Sequence, residues 1–312
     1  MTAMGKVGCF LTLLLLNYLG GARVGVTSAD NFSQTPETIN RVDLMTVVFT
    51  VTDKNGRFIK DLKPDQFRIL DNHKPPQEIA SFESQAETPL RIGLLFDASN
   101  SIRDRFLFEQ RAAGDLLRQI IRPQSDQAFV LAFDEVSELT QDFTNDVGKL
   151  IAGIQRIRPG GGTALWDAVF YACRDKMLKE KNSTPVRRAI ILVSSGDDNQ
   201  SRVLPQEAIE MAQRADVIIY TVSTDLSNIQ DTGNHNLKVL ADATGGQAFF
   251  PFKLQDLSNA FADIQAEFLN QYSMSYKPDG FQPNGQFRTI QIIPGNTKLK
   301  VRVRKGYFAP KD

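Results

Sequence analysis

The sequence predicts an α/β fold with a mainly parallel sheet covered by helices on both faces. A small N-terminal β-sandwich-like region and a C-terminal β extension flank it. Three observations carry this reading. Four continuous apolar runs, Ile92–Phe96, Ala128–Phe133, Ala189–Val193 and Val217–Val222, have the composition of strands buried on both faces. Segments of helical period separate them. Short segments of period-two alternation lie before the first run and after the last helix.

In chain order, residues 1–29 read as an export signal. Lys6 supplies the positive charge, Phe10–Leu19 the apolar run, and Thr27-Ser28-Ala29 a cleavage site. The apolar run is too short for a membrane span, which needs about twenty residues. An uncleaved anchor, and with it membrane attachment, is the alternative. Cys9 precedes the apolar run rather than ending it, so lipidation is not expected. The expected location is outside the cytoplasm: periplasmic, cell-surface or secreted. Cleavage leaves Cys173 as the single cysteine and rules out an intramolecular disulfide.

Residues 30–38 are a polar linker. Residues 39–86 read as a small β-rich domain, with a strand at Val47–Val51, a turn at Asn55-Gly56, and strands at Phe58-Ile59 and Phe67–Leu70. Residues 87–270 form the α/β domain. Its helices are marked by Phe106, Ala113, Leu117 and Ile120, by Val147 to Ile154, by Ala164 to Lys181, by Pro205 to Arg214, by Leu237 to Ala243 and by Leu257 to Leu269. Pro205 suits the first helical position, and Gly245-Gly246 a helix end. Val136 to Leu139 reads as a short edge strand. Residues 271–312 hold alternating strands at Tyr272–Tyr276, Phe287–Ile293 and Leu299–Arg304. They either form their own hairpin layer or pair with the N-terminal β-region. Arg302 and Arg304 read as the polar face of a strand, and Arg187-Arg188 as a solvated edge.

Composition excludes several function classes. In 312 residues, 36 Lys+Arg balance 36 Asp+Glu, and no basic surplus points to nucleic acid. Two Cys and two His are too few for a structural zinc site, which takes about four such ligands. Any metal must be a hard cation held by oxygen.

The strand ends supply such oxygens. The first apolar run ends in Asp97-Ala98-Ser99-Asn100-Ser101, which aims a carboxylate and two hydroxyls from one loop. Gly160-Gly161-Gly162-Thr163 precedes a helix, and its glycines let the backbone approach a site closely. The third run ends in Ser194-Ser195-Gly196-Asp197-Asp198-Asn199. In parallel α/β sheets ligands bind beyond the carboxyl ends of the strands, and hard oxygens with few carboxylates suit Mg²⁺.

DASNS, GGGT and SSGDDN resemble the three site loops of a von Willebrand factor type A domain. DKNGRFIKDLKPDQFRIL, GGGTALWDAVFYA, ATGGQAFF, QYSMSY, FRTIQI and VRVRKGYFAP extend the likeness over about residues 40–310, toward the von Willebrand A-related proteins of Acidobacteria. The resemblance implies a doubly wound α/β fold and a metal-ion-dependent adhesion site, usually with Mg²⁺. A partner protein's acidic side chain would complete the cation's coordination. By this resemblance Asp97, Ser99, Ser101 and Thr163 hold Mg²⁺, or Mn²⁺ or Ca²⁺ in its place. Ser195 stands where the family usually has Asp, which weakens the site by one negative charge. Asp197 or Asp198 is a candidate substitute.

A second reading stands beside this one. Asp and Ser at strand ends also cap helices and form turns, so the protein would be a metal-independent component of a cell-envelope assembly. Catalysis is not expected. No persuasive base accompanies the strand-end serines, and Cys173 sits on an apolar helix stretch. The glycine loop lacks the Lys of a nucleotide-binding P-loop. Trp166 reads as core.

Overall fold

The computed structural model describes residues 44–100, 105–181, 184–225, 231–253 and 256–311. The expected signal segment and linker lie outside the described residues, as does Ser101. Among the described residues no helix is long and apolar enough to cross a membrane.

The central sheet contains β4 (Leu90–Asp97), β5 (Gln127–Phe133), β6 (Ser137–Thr144), β7 (Arg187–Ser194), β8 (Val217–Ser223) and β9 (Ala248–Phe249), after three earlier strands described below. Its order is β6-β5-β4-β7-β8-β9, with β6 antiparallel at one edge and the rest parallel. Successive side chains of a strand point to opposite faces. Leu94 and Phe96 therefore enter one core and Leu95 the other. The first core is closed by α1 (Phe106–Ile120), α2 (Val147–Arg156) and α6 (Asp256–Leu269). The second is closed by α3 (Leu165–Tyr171), α4 (Pro205–Arg214) and α5 (Thr232–Thr244). The sheet is thus doubly wound.

Local chemistry sets several boundaries. Pro205 opens α4. Gly245 ends α5 in the left-handed region, φ 83°, and its N–H reaches back to the Ala241 carbonyl. The helix expected to run on to Lys181 is α3 followed by a π-helical turn, Ala172–Met177. The expected edge strand is the longer β6. Phe58 makes only an isolated bridge to Thr52.

The two outer β segments build one sandwich together. Its strands are β1 (Met45–Thr52), β2 (Phe67–Asp71), β3 (Glu78–Ser84), β10 (Gln271–Lys277), β11 (Phe287–Pro294), β12 (Lys300–Val303) and β13 (Gly306–Phe308). One sheet has the order β12-β1-β10-β3 and the other β13-β11-β2. Of the two arrangements left open by the sequence, the C-terminal strands take the one that pairs with the N-terminal region. Val47, Phe49 and Val51 of β1 meet Tyr272, Met274 and Tyr276 of β10 and Ile69 and Ile292 of the facing sheet.

A buried carboxylate ties the two sheets. Asp71 of β2 accepts from the Tyr276 hydroxyl (2.9 Å), the Tyr307 hydroxyl (2.8 Å) and Arg288 Nε (2.7 Å). Tyr276 belongs to the opposite sheet. A second polar network joins the sandwich to the α/β domain. Only Asn270 separates α6 from β10. Glu267 and Gln271, on either side, both hydrogen-bond the buried Tyr220 hydroxyl. Arg187, expected on a solvated edge, is only 6% exposed. It begins β7 beneath the sandwich, so it meets Gln271 and the end of α6 rather than water.

Asp71→Ala leaves two phenols and a guanidinium without their shared acceptor. We expect a loss of about 3 kcal/mol of unfolding free energy, measured by urea denaturation. A loss under about 1 kcal/mol would show that the network is not a structural tie.

Candidate functional site

The register of the parallel strands assembles the site. Phe96 lies opposite Val193 on β7, and Asp97 opposite Phe133 on β5. Asp97, Asp134 and the Ser194-Ser195 pair therefore reach one carboxyl edge.

Asp97 is fully buried. The Ser99 backbone N–H donates to its Oδ1 (2.8 Å), and the Ser194 hydroxyl to its Oδ2 (2.6 Å). The Ser99 hydroxyl and the Ser195 backbone N–H also donate to it. Burial pushes the Asp97 carboxyl above its usual range, and these hydrogen bonds only partly offset that.

The other two loops are hydrogen-bonded onto this one. Gly160 N–H donates to the Ala98 carbonyl (2.7 Å). Thr163 N–H donates to Asn199 Oδ1 (3.0 Å), while the Thr163 carbonyl accepts from the N–H groups of Asn199 (3.0 Å) and Gln200 (3.1 Å). Gly196 has φ +86°, and a Cβ there would lie 2.1 Å from the Gly233 carbonyl oxygen. Only glycine fits this turn. Ser99, Thr163 and Ser195 are all buried at this edge.

The acidic residues after Ser195 divide their roles. Asp198 Oδ1 accepts from the Leu165 N–H (2.9 Å) and the Ser201 hydroxyl (2.5 Å). It caps the start of α3 and is committed there rather than to Ser195. Asp197 is exposed, and its Oδ2 lies 3.4 Å from Ser195 Oγ. Of the two acids it is the one that reaches Ser195.

Chemically, the set is one buried carboxylate among hydroxyls. Among the described residues no group of three or more His, Cys, Asp or Glu is placed to hold a metal ion. Oxygen donors of this kind fit a hard divalent cation that keeps part of its water shell, with a reduced charge match.

Several contributors are not evident from sequence reading. Ser194 lies inside the motif, but its hydrogen bond to Asp97 depends on neighbouring parallel strands pointing side chains the same way. Asn199 acts by holding the glycine loop. Glu109 lies on α1, three residues after Phe106, on the buried face that carries Ala113, Leu116 and Leu117. A charge within an apolar stripe is its sequence signal. It is 1% exposed, neither carboxylate oxygen has a hydrogen-bond partner among the described residues, and Arg105 Nε stands 3.8 Å away. Burial pushes Glu109 up to about 8; Arg105 opposes the rise and the charge of Asp97 adds to it. Trp166 and Cys173 are buried in the second core, and burial raises the Cys173 thiol. Neither rims the site.

Residues 92–267 match the sequence profile described as von Willebrand factor type A domain. No curated protein sequence matches the chain. Among solved structures, proximal thread matrix protein 1 from the mussel byssus superposes with a TM-score of 0.51 at 17% identity. The match covers 63% of this chain and 50% of that one, so the chain spans half the length of that relative. Another structure of the mussel protein, also at TM-score 0.51 and 17% identity, is described with a zinc-occupied MIDAS motif. A von Willebrand factor type A protein from Catenulispora acidiphila matches at TM-score 0.50 and 11% identity, over 80% of this chain and 74% of that one. At these identities the likeness is one of fold.

Glu109 yields a pH prediction. Its folded-state value is raised from 4.5 to about 8. Below the lower value both states hold the proton and its contribution is fully present. As pH rises toward about 8 the unfolded chain ionises first, and that stability is lost. Glu109→Gln should flatten the decline across this window and give a more stable protein at pH 8. Parallel stability–pH curves for wild type and variant would refute the assignment.

Proposed function

The chain belongs to the von Willebrand factor type A domain family, and from that premise we propose that it is an exported binding protein whose strand-edge cluster holds Mg²⁺ or Mn²⁺. A partner protein's carboxylate completes the coordination of the ion. The observation that carries this reading is the fully buried Asp97, sharing one strand edge with the buried Ser99, Thr163 and Ser195. When bound, the cation supplies a Lewis-acidic anchor for the partner's carboxylate. Asp97 carries the charge, and Ser194 and the Ser99 N–H fix its orientation. Asp197 compensates for Ser195 from the solvent side.

Exposed apolar side chains favour a protein partner over a small molecule. Leu107, Val136, Leu204 and Phe252 are all exposed. Each lies in a segment that follows the carboxyl end of a central strand: β4, β5, β7 or β9. Export rests on the sequence of residues 1–29. The order of motifs from DKNGRFIKDLKPDQFRIL to VRVRKGYFAP supports a place among the von Willebrand A-related proteins of Acidobacteria.

One observation favours a metal-independent structural unit instead. Asp97 is satisfied by hydrogen bonds from its own chain, and Ser195 brings no charge. Calorimetry separates the two readings. We expect weak Mg²⁺ or Mn²⁺ binding to wild type and none to Asp97→Ala. Ser195→Asp should bind about tenfold tighter, because site affinity follows ligand charge. Absence of binding to both wild type and Ser195→Asp would leave the structural unit as the function.

A further inference from the structure

We infer that a second cleft, at the opposite edge of the central sheet, binds a small oxyanion. It lies between one face of the four-stranded sheet and the first residues of β4, β7 and β8. Its volume of about 330 Å³ suits a compact ligand.

The charge balance of its walls carries the inference. Arg187, Arg188 and Arg304 line it, against Glu83 and Asp216. Asp216 is taken by Arg304. Arg187 is buried and, among the described residues, held by neutral acceptors: the Phe268 carbonyl (2.7 Å), Gln271 Oε1 (2.6 Å) and the Thr88 carbonyl (3.2 Å). Its Nε–H is buried and has no acceptor among the described residues. Buried guanidinium groups ordinarily sit against a carboxylate, because an unpaired buried charge is costly. Burial accordingly pulls Arg187 down to about 10.

Arg304 faces the same cleft from the sandwich side. It is 8% exposed, and its guanidinium is held by Asp216 and the Thr46 carbonyl (2.8 Å). Arg188 spends its Nε on the Met177 carbonyl (3.1 Å) and pairs with no carboxylate among the described residues. Two guanidinium groups without a carboxylate partner among the described residues, Arg187 and Arg188, thus line one cavity beside the Arg304–Asp216 pair. A carboxylate or phosphate group would supply the missing counter-charge. This site is remote from Asp97 in the fold and does not depend on the cation reading.

The test is thermal unfolding of the full protein, stripped of divalent cations. It is titrated with inorganic phosphate, with citrate, and with sodium chloride at matched ionic strength. We expect a saturable rise in melting temperature with phosphate or citrate and none with chloride. The stronger of the two identifies a phosphate or a carboxylate as the preferred group. Glu83→Gln removes the one unpaired acid of the cleft and should tighten the midpoint about threefold, and Arg188→Gln should weaken it about fivefold. Melting in plain buffer reports whether each variant folds. No saturable rise beyond chloride overturns the proposal, and so does a rise whose midpoint neither variant moves.

Discussion

The central sheet is covered on both faces, and the distribution of polar groups follows from that constraint. Burying β4 and β7 between two layers of helices leaves no room for an unpaired polar side chain along their length. Chemistry is confined to the two edges. At the carboxyl edge the strands release Asp97 and Ser194 into loops that fold back on one another. At the amino edge β7 starts with Arg187, and the sandwich covers it. The two edges have opposite electrostatic character: a buried carboxylate among hydroxyls at one, and at the other a buried guanidinium, Arg187, held by neutral acceptors.

Much of this was legible in the sequence, for reasons specific to particular residues. The four apolar runs report strands that see no water on either side, so their composition alone identified them. Pro205 and Gly245 marked helix boundaries because each suits one backbone geometry. The loops DASNS, GGGT and SSGDDN were visible because strand ends concentrate functional side chains. Less was legible where position depends on distant parts of the chain. Whether β10 and β12 would pair with β1 was open, since nothing local specifies a partner more than 200 residues away. Arg187 looked solvated because its burial comes from Gln271 and the end of α6. Asp198 looked like a free carboxylate, while its acceptor role is set by the Leu165 N–H. Glu109 shows the reverse case, where a charge at a helical core position was a local signal of something unusual.

Ser195 brings no charge to the strand edge. Asp97 is a fully buried carboxylate there, with Ser194 and backbone N–H groups donating to it. Asp197 stands outside, near Ser195. Glu109 adds a second buried acid, electrostatically coupled to Asp97 although it belongs to α1. Burial raises both Asp97 and Glu109, while Asp197 faces solvent.

The pairing of β1 with both β10 and β12 also has a mechanical meaning. The α/β domain, from Leu90 to Leu269, is a long excursion between segments that are hydrogen-bonded to each other. A pull applied at Leu44 and Lys311 would load the strand pairs of the sandwich first. The strand-edge cluster would feel no tension until that clasp had opened.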